Sequence, residues 1–156
     1  HIGDMRSVRL DKKFKAVLIH DAIDYMLDES DLRAALATAR RHLEVGGVLI
    51  ICPDFFVETF PGTFVNHKTT QSDDLELTYI EYSHDPDPAD TTIESVFLYF
   101  FKEASGLRIE QDRHITGLFS LDTWLNLMEE EGFEVEVRAI PESAEGHQPY
   151  ILVGTR

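Results

Sequence analysis

The stretch Phe14-Lys15-Ala16-Val17-Leu18-Ile19-His20-Asp21-Ala22-Ile23-Asp24-Tyr25-Met26, with the later run Val48-Leu49-Ile50-Ile51-Cys52, decides the fold. Ala16 to Ile19 is short and continuously apolar, which suits a parallel strand covered on both faces better than a half-exposed antiparallel one. Val48 to Cys52 is a second run of the same kind. Between them Leu32, Leu36, Ala39 and Leu43 recur at helical spacing. Ser30 is the expected N-cap and Asp31 suits the first turn, while Arg40, Arg41 and His42 favour the C-terminal end of the helix dipole. Gly46-Gly47 is expected to end that helix. Helical structure should also resume just after the first strand, near Ile23 or Tyr25. Strand, helix and strand in this order predict a right-handed βαβ crossover in a parallel sheet.

Beyond this unit the character changes. Phe55 to Ser72 mixes aromatics with Pro61, Gly62 and Asn66, has neither helical nor strand periodicity, and reads as a loop or lid. Leu75 to His84, Thr91 to Lys102 and Leu107 to Ile115 read as three antiparallel strands, joined by Asp85-Pro86-Asp87-Pro88 and by Ser105-Gly106. The middle one is apolar on both faces from Val96 to Phe101 and should be central. Ser120 then caps a helix with Leu121, Trp124, Leu125 and Met128 in one stripe, Phe119 placed to staple onto Trp124, and Gly132 closing it. Phe133, Val135, Val137 and Ala139 alternate with polar residues as a strand. Pro141 to Pro149 is turn-rich, and Tyr150 to Val153 is a last strand.

At 156 residues with 43% hydrophobic content, the chain is the size of one domain with a real core. Its formal net charge of −15 repels phosphate backbones and anionic lipid surfaces, so no nucleic-acid or membrane partner is expected. The only cysteine, Cys52, cannot form an internal disulfide, and no run long and apolar enough to span a bilayer appears. A cytoplasmic location is expected. The opening His1-Ile2-Gly3-Asp4-Met5-Arg6 has no initiator methionine and reads as the end of a strand already under way, so the chain is expected to be a fragment.

The order β, α, β, antiparallel insertion, α, β, β resembles the second half of the Rossmann-like (class I) S-adenosylmethionine-dependent methyltransferases. Gly3-Asp4-Met5-Arg6 resembles the loop after that family's third strand, where an acidic side chain meets the adenine amino group and its apolar neighbour touches the ring. Phe14 to Met26 resembles the fourth strand and the turn after it. His42-Leu43-Glu44-Val45-Gly46-Gly47-Val48-Leu49 resembles the leucine, proline, glycine, glycine turn into the fifth strand, with Val45 in place of the proline. The later part, from Asp85-Pro86-Asp87-Pro88 through Asp112-Arg113-His114 to Gly117-Leu118-Phe119, is similar to bacterial small-molecule and aminosugar N-methyltransferases.

The resemblance implies an α/β fold: a partial methyltransferase sheet of parallel strands with an antiparallel terminal hairpin, plus an antiparallel β insert. It places the core at 1–53 and 119–156, and at 54–118 an insert or lid that shapes the acceptor site. It implies S-adenosylmethionine as cofactor, with Asp4 and Met5 at the adenine and with His20 and Asp21 at the strand end that faces cofactor and acceptor. The glycine-rich loop and the ribose-binding acid of the family belong upstream of His1, so this stretch alone is expected to be inactive.

Methyl transfer from a sulfonium is an in-line displacement that needs alignment and an unprotonated nucleophile. His20, Tyr25 and His114 are the catalytic candidates. Against these stand the structural alternatives: hydrogen bonding for His20 and Asp21, packing for Tyr25, and a satisfied structural histidine for His114. Tyr82 and His84 are expected to face a small-molecule methyl acceptor, whereas Asp85, Asp87 and Asp90 most simply make turns. The histidines show no metal-ligand spacing, so no metal is assigned, and Cys52 reads as core.

The expected function is methyl transfer to a nitrogen or oxygen of a small molecule. The alternative is a non-catalytic binding or dimerisation module on the same scaffold; another Rossmann-like enzyme such as a dehydrogenase fits the antiparallel last pair less well. The strand at Ala16 to Ile19 would carry an open edge, so a homo-oligomer is expected.

Overall fold

Two apolar runs of parallel-strand character lie side by side, as their patterning predicts. In the computed structural model, which describes residues 1–139 and 150–156, β1 (Phe14–Ile19) and β2 (Leu43–Ile51) pair in parallel, with Ala16 opposite Val48 and Ile19 opposite Ile51. The chain divides into two compact units, His1–Thr59 with Gly117–Arg156, and Phe60–Thr116.

In the first unit α1 (Glu29–His42) connects β1 to β2, with a short 3-10 turn, Asp21–Tyr25, directly after β1. Leu32, Leu36 and Ala39 are buried on one face of α1, as the spacing predicts. Its N-cap is Asp28 rather than Ser30: the Asp28 carboxylate accepts from the Asp31 backbone N–H at 2.8 Å, and Ser30 only donates its hydroxyl to that carboxylate. Asp28 wins because an ionised cap also complements the helix dipole. Nor do the paired glycines end the helix. It stops at His42, and Gly46, at φ 77°, and Gly47 form a bulge inside β2, where four residues oppose the single Lys15 between the Phe14–Leu43 and Ala16–Val48 pairs. A side chain at Gly47 would press on two backbone carbonyls, those of Glu44 and Lys15, at 3.0 and 3.1 Å.

The sheet continues through β8 (Tyr150–Thr155), antiparallel to β2, to β7 (Glu134–Ala139), antiparallel to β8, giving the order β1-β2-β8-β7. The antiparallel terminal pair is as expected. The connection from Pro141 to Pro149 lies outside the described residues. Contrary to expectation, β1 is not covered on both faces: it is an edge strand whose Val17 and Ile19 are half-buried while Leu18 is 65% exposed. Ala16 and Leu18 on that second face are both exposed.

Helix α2 (Leu121–Glu130) follows the sequence reading closely. Ser120 accepts from the Thr123 backbone N–H at 3.0 Å, and Phe119 meets Trp124 edge-on with ring centroids 6.1 Å apart. Trp124, Leu127 and Met128 join Leu32, Leu36, Leu49, Ile51 and Leu152 in one core. His42 is buried here as well. Its Nε2 accepts from Leu10 N–H at 2.9 Å, so Nδ1 carries the proton and donates to the Thr38 carbonyl at 2.7 Å.

The second unit is a four-stranded antiparallel sheet in the order β3-β4-β5-β6: β3 (Thr63–Ser72), β4 (Leu75–His84), β5 (Thr92–Glu103) and β6 (Gly106–Gly117). The last residue of β6 belongs to the first unit. The expectation of a loop from Phe55 to Ser72 is overturned by β3, which pairs with β4 from Thr63–His84 to Ser72–Leu75. β3 is an edge strand with mostly exposed side chains on both faces, so no apolar alternation marks it. The apolar run from Val96 to Phe101 lies in β5, which is central as expected.

Candidate functional site

The carboxyl ends of parallel strands are the usual ligand face of an open α/β sheet. Here β1 and β2 end together, with Cys52 N–H donating to the Ile19 carbonyl at 3.1 Å. His20 and Asp21 follow β1; both are exposed, and the His20 imidazole pairs with the Asp21 carboxylate. The 3-10 turn then buries Ile23 completely and leaves Tyr25 49% exposed. A close approach fixes the far end of the turn: a Cβ at Gly117 would sit 2.1 Å from the Met26 carbonyl oxygen, so only glycine fits.

One titratable group at this face was not singled out by the sequence reading. Asp24, in the middle of the turn, is only 6% exposed. Its Oδ2 accepts from the Asp54 backbone N–H, 3.1 Å away on the segment after β2. Burial pushes its carboxyl up to about 8, and the neighbouring carboxylates Asp54 and Asp21 add to the shift, which the Asp54 hydrogen bond opposes. Burial also raises the Cys52 thiol, with a smaller contribution from Asp21. The signal in the sequence was a polar residue set inside Ala22-Ile23-Asp24-Tyr25-Met26, but whether such a residue is buried depends on what packs over it.

The N-terminal segment places Asp4 in the open. Its carboxylate accepts from the Arg6 backbone N–H at 2.8 Å and from the Arg6 guanidinium at 2.7 Å, which holds it down at about 2. Arg6 reaches onward to Asp31 at 2.7 Å. Met5 is half-buried and turned to the core, lining an apolar cavity of about 210 Å³ with Val8, Val17, Ile19 and Ala39. An exposed acidic residue beside an apolar side chain is chemically suited to a purine edge once its pairing with Arg6 yields, and an exposed His–Asp pair at the strand end to the polar end of a ligand.

In the second unit Tyr82 and His84 share a face of β4, with ring centroids 5.6 Å apart. His114 packs edge-on against Phe97 at 5.2 Å, and its Nε2 lies 3.2 Å from the Asp112 carboxylate. The structure therefore joins His20 with Asp21, Tyr82 with His84, and Asp4 with Arg6. Among the described residues no group of three or more His, Cys, Asp or Glu is arranged to hold a metal ion, and no helix is long and apolar enough to cross a membrane.

Comparison with known proteins gives this arrangement its context. No family model matches the chain. It is 32% identical over 120 residues to dTDP-3-amino-3,4,6-trideoxy-alpha-D-glucopyranose N,N-dimethyltransferase of Streptomyces venezuelae, covering 76% of this chain and 50% of that protein. It is 27% identical over 137 residues to dTDP-3-amino-3,6-dideoxy-alpha-D-glucopyranose N,N-dimethyltransferase of Streptomyces fradiae, covering 87% of this chain and 53% of that one. The chain thus spans about half the length of the curated relatives it matches. Among solved structures, Streptomyces venezuelae DesVI superposes with a TM-score of 0.84 at 27% identity, over 97% of this chain and 62% of that one. CalS10 of Micromonospora echinaspora, an amino pentose methyltransferase bound to S-adenosylmethionine, has the same fold, with a TM-score of 0.84 at 22% identity, over 99% of this chain and 63% of that one.

The chain carries part of the fold of the S-adenosylmethionine-dependent methyltransferases, as its sequence led one to expect. Within that class the relatives it shares sequence with include N,N-dimethyltransferases of amino sugars.

Proposed function

We propose that the chain is part of an S-adenosylmethionine-dependent methyltransferase that methylates a nitrogen of a small molecule, an amino sugar or a compound of similar chemistry. The observation that carries this reading is the 32% identity over 120 residues to an amino-sugar N,N-dimethyltransferase. It narrows the earlier choice between nitrogen and oxygen.

S-adenosylmethionine, when bound, supplies a methyl group on a sulfonium sulfur that an aligned, unprotonated amine can take in line. The chain's own residues hold and orient. In this reading Asp4 accepts the adenine amino group and Met5 packs on the ring. His20 and Asp21 line the methionine end, and His20 is also a base candidate. Tyr25, half exposed on the turn after β1, is the third catalytic candidate. Tyr82 and His84 contact the acceptor, with His114 the other base candidate.

The net charge of −15 supports a small-molecule acceptor rather than nucleic acid or a membrane surface, and the single cysteine supports a cytoplasmic location. The open edge of β1 supports self-association.

The test is transfer of labelled methyl from S-adenosylmethionine to dTDP-linked amino sugars by the chain extended upstream. Labelled N-methyl product that falls at least about tenfold in Tyr25→Phe or His20→Ala supports the reading. Cofactor binding with no amine methylated contradicts it.

A further inference from the structure

Asp24 is a buried carboxyl at the ligand face that the mechanism above does not use. It sits at the middle of the Asp21–Tyr25 turn after β1, yet its Oδ2 reaches across to the Asp54 N–H after β2, 3.1 Å away. The bond spans the ends of the two parallel strands and fixes the spacing of the segments that follow them. A nonpolar residue would fill the same burial more cheaply, because burying a carboxyl costs free energy that one backbone hydrogen bond only partly offsets. An isoleucine precedes it and a methionine follows two residues later, so the turn has core positions to spare. A costly polar group kept at such a place marks a positional task.

We propose that Asp24 is a positioning residue of the methyl-transfer site, whose buried carboxyl latches the turn carrying His20, Asp21 and Tyr25 to the segment after β2. This rests on the methyltransferase reading. The charged groups that bear on Asp24 are Asp21 on its own turn and Asp54 on the facing segment, both carboxylates. While Asp24 is neutral, the latch is uncharged and closed. Once it ionises, the buried carboxylate is drawn toward solvent and three carboxylates crowd the strand ends; burial, the larger cause, and repulsion together outweigh the stronger hydrogen bond a charged acceptor makes to the Asp54 N–H, and the turn parts from the Asp54 segment. The site is therefore aligned on the acid side of the Asp24 titration, where the incoming amine must already have lost its proton. The two requirements oppose each other and define a pH window.

The first arm of the experiment is local and needs no activity. In this chain the Asp54 amide, followed by NMR against pH, shifts and loses exchange protection as Asp24 ionises. In Asp24→Asn, which keeps an acceptor oxygen and cannot ionise, the shift is absent and protection persists to alkaline pH. In Asp24→Ala protection falls about tenfold at every pH. An Asp54 amide that behaves alike in all three proteins overturns the latch.

The second arm measures methyl transfer by the upstream-extended chain. The native protein gives a profile that falls on the alkaline side. Asp24→Asn removes that fall with KM little changed, and Asp24→Ala lowers kcat by about 10- to 100-fold, the effect of misalignment. An alkaline fall that survives in Asp24→Asn overturns the positioning role even if the local latch is real. If the amide titrates as described but no amine is methylated, the functional reading fails, and with it the role assigned here, while the latch itself stands as a structural fact.

Discussion

Asp24 couples folding to pH in a direction that can be worked out. Its native value, about 8, lies above the ordinary aspartate value of about 3.9, so between these limits the folded chain binds its proton more tightly than the unfolded one. The contribution of this group to stability is complete below about pH 4 and is lost as pH rises toward 8. Asp24→Asn is therefore expected to stabilise the chain by on the order of 1–3 kcal/mol at pH 9 and to have little effect at pH 4, as read by urea denaturation. Trp124 makes a second residue-level case. It is 2% exposed at the centre of the core, and its buried indole Nε1 has no hydrogen-bond partner among the described residues. Trp124→Ala should cost about 3–5 kcal/mol through the cavity it leaves. Trp124→Phe should cost only about 1–2 kcal/mol, because no hydrogen bond is lost, and equal losses in the two variants would show that the N–H is bonded after all. Neither fact about these side chains was legible in the sequence: Trp124 was placed on the buried stripe, but the fate of its N–H and the burial of Asp24 depend on which elements close over them.

At the scale of elements, legibility followed the strength of the local pattern. The apolar runs of β1 and β2, the stripe of α1, the Ser120 cap with its Phe119–Trp124 staple, and the alternation of β7 each had a local physical cause, and each appears where expected. β3 did not, because an edge strand exposed on both faces needs no apolar alternation and is held by its ladder to β4. Gly46-Gly47 was misread for a related reason: glycine tolerates both a helix end and a strand bulge, and the pairing of β2 with β1 selects the bulge. β1 itself yields a prediction. Its outer edge is open and Leu18 is 65% exposed, so Leu18→Lys should shift any self-associated species toward monomer in size-exclusion chromatography with light scattering. A wild-type chain that is monomeric at micromolar concentration would remove the basis for self-association through this edge.

For the molecule as a whole, the sequence led to an α/β sheet with an antiparallel addition, and the two compact units and their strand orders have that form. The class was legible because the order of elements and the turns at Gly3-Asp4-Met5-Arg6 and His20 to Tyr25 carry it together, and DesVI superposes on 97% of the chain. The acceptor was less legible, since strands and turns set the ligand face while its chemistry depends on side chains drawn from several segments. The measurement that bears most directly on the central claim is titration calorimetry of S-adenosylhomocysteine into this chain and into a form extended upstream to include a glycine-rich half. The account predicts one-to-one binding by the extended form and none, or far weaker binding, by this chain alone; an extended form that binds no S-adenosylhomocysteine would contradict it and favour a scaffold that has the fold without the cofactor.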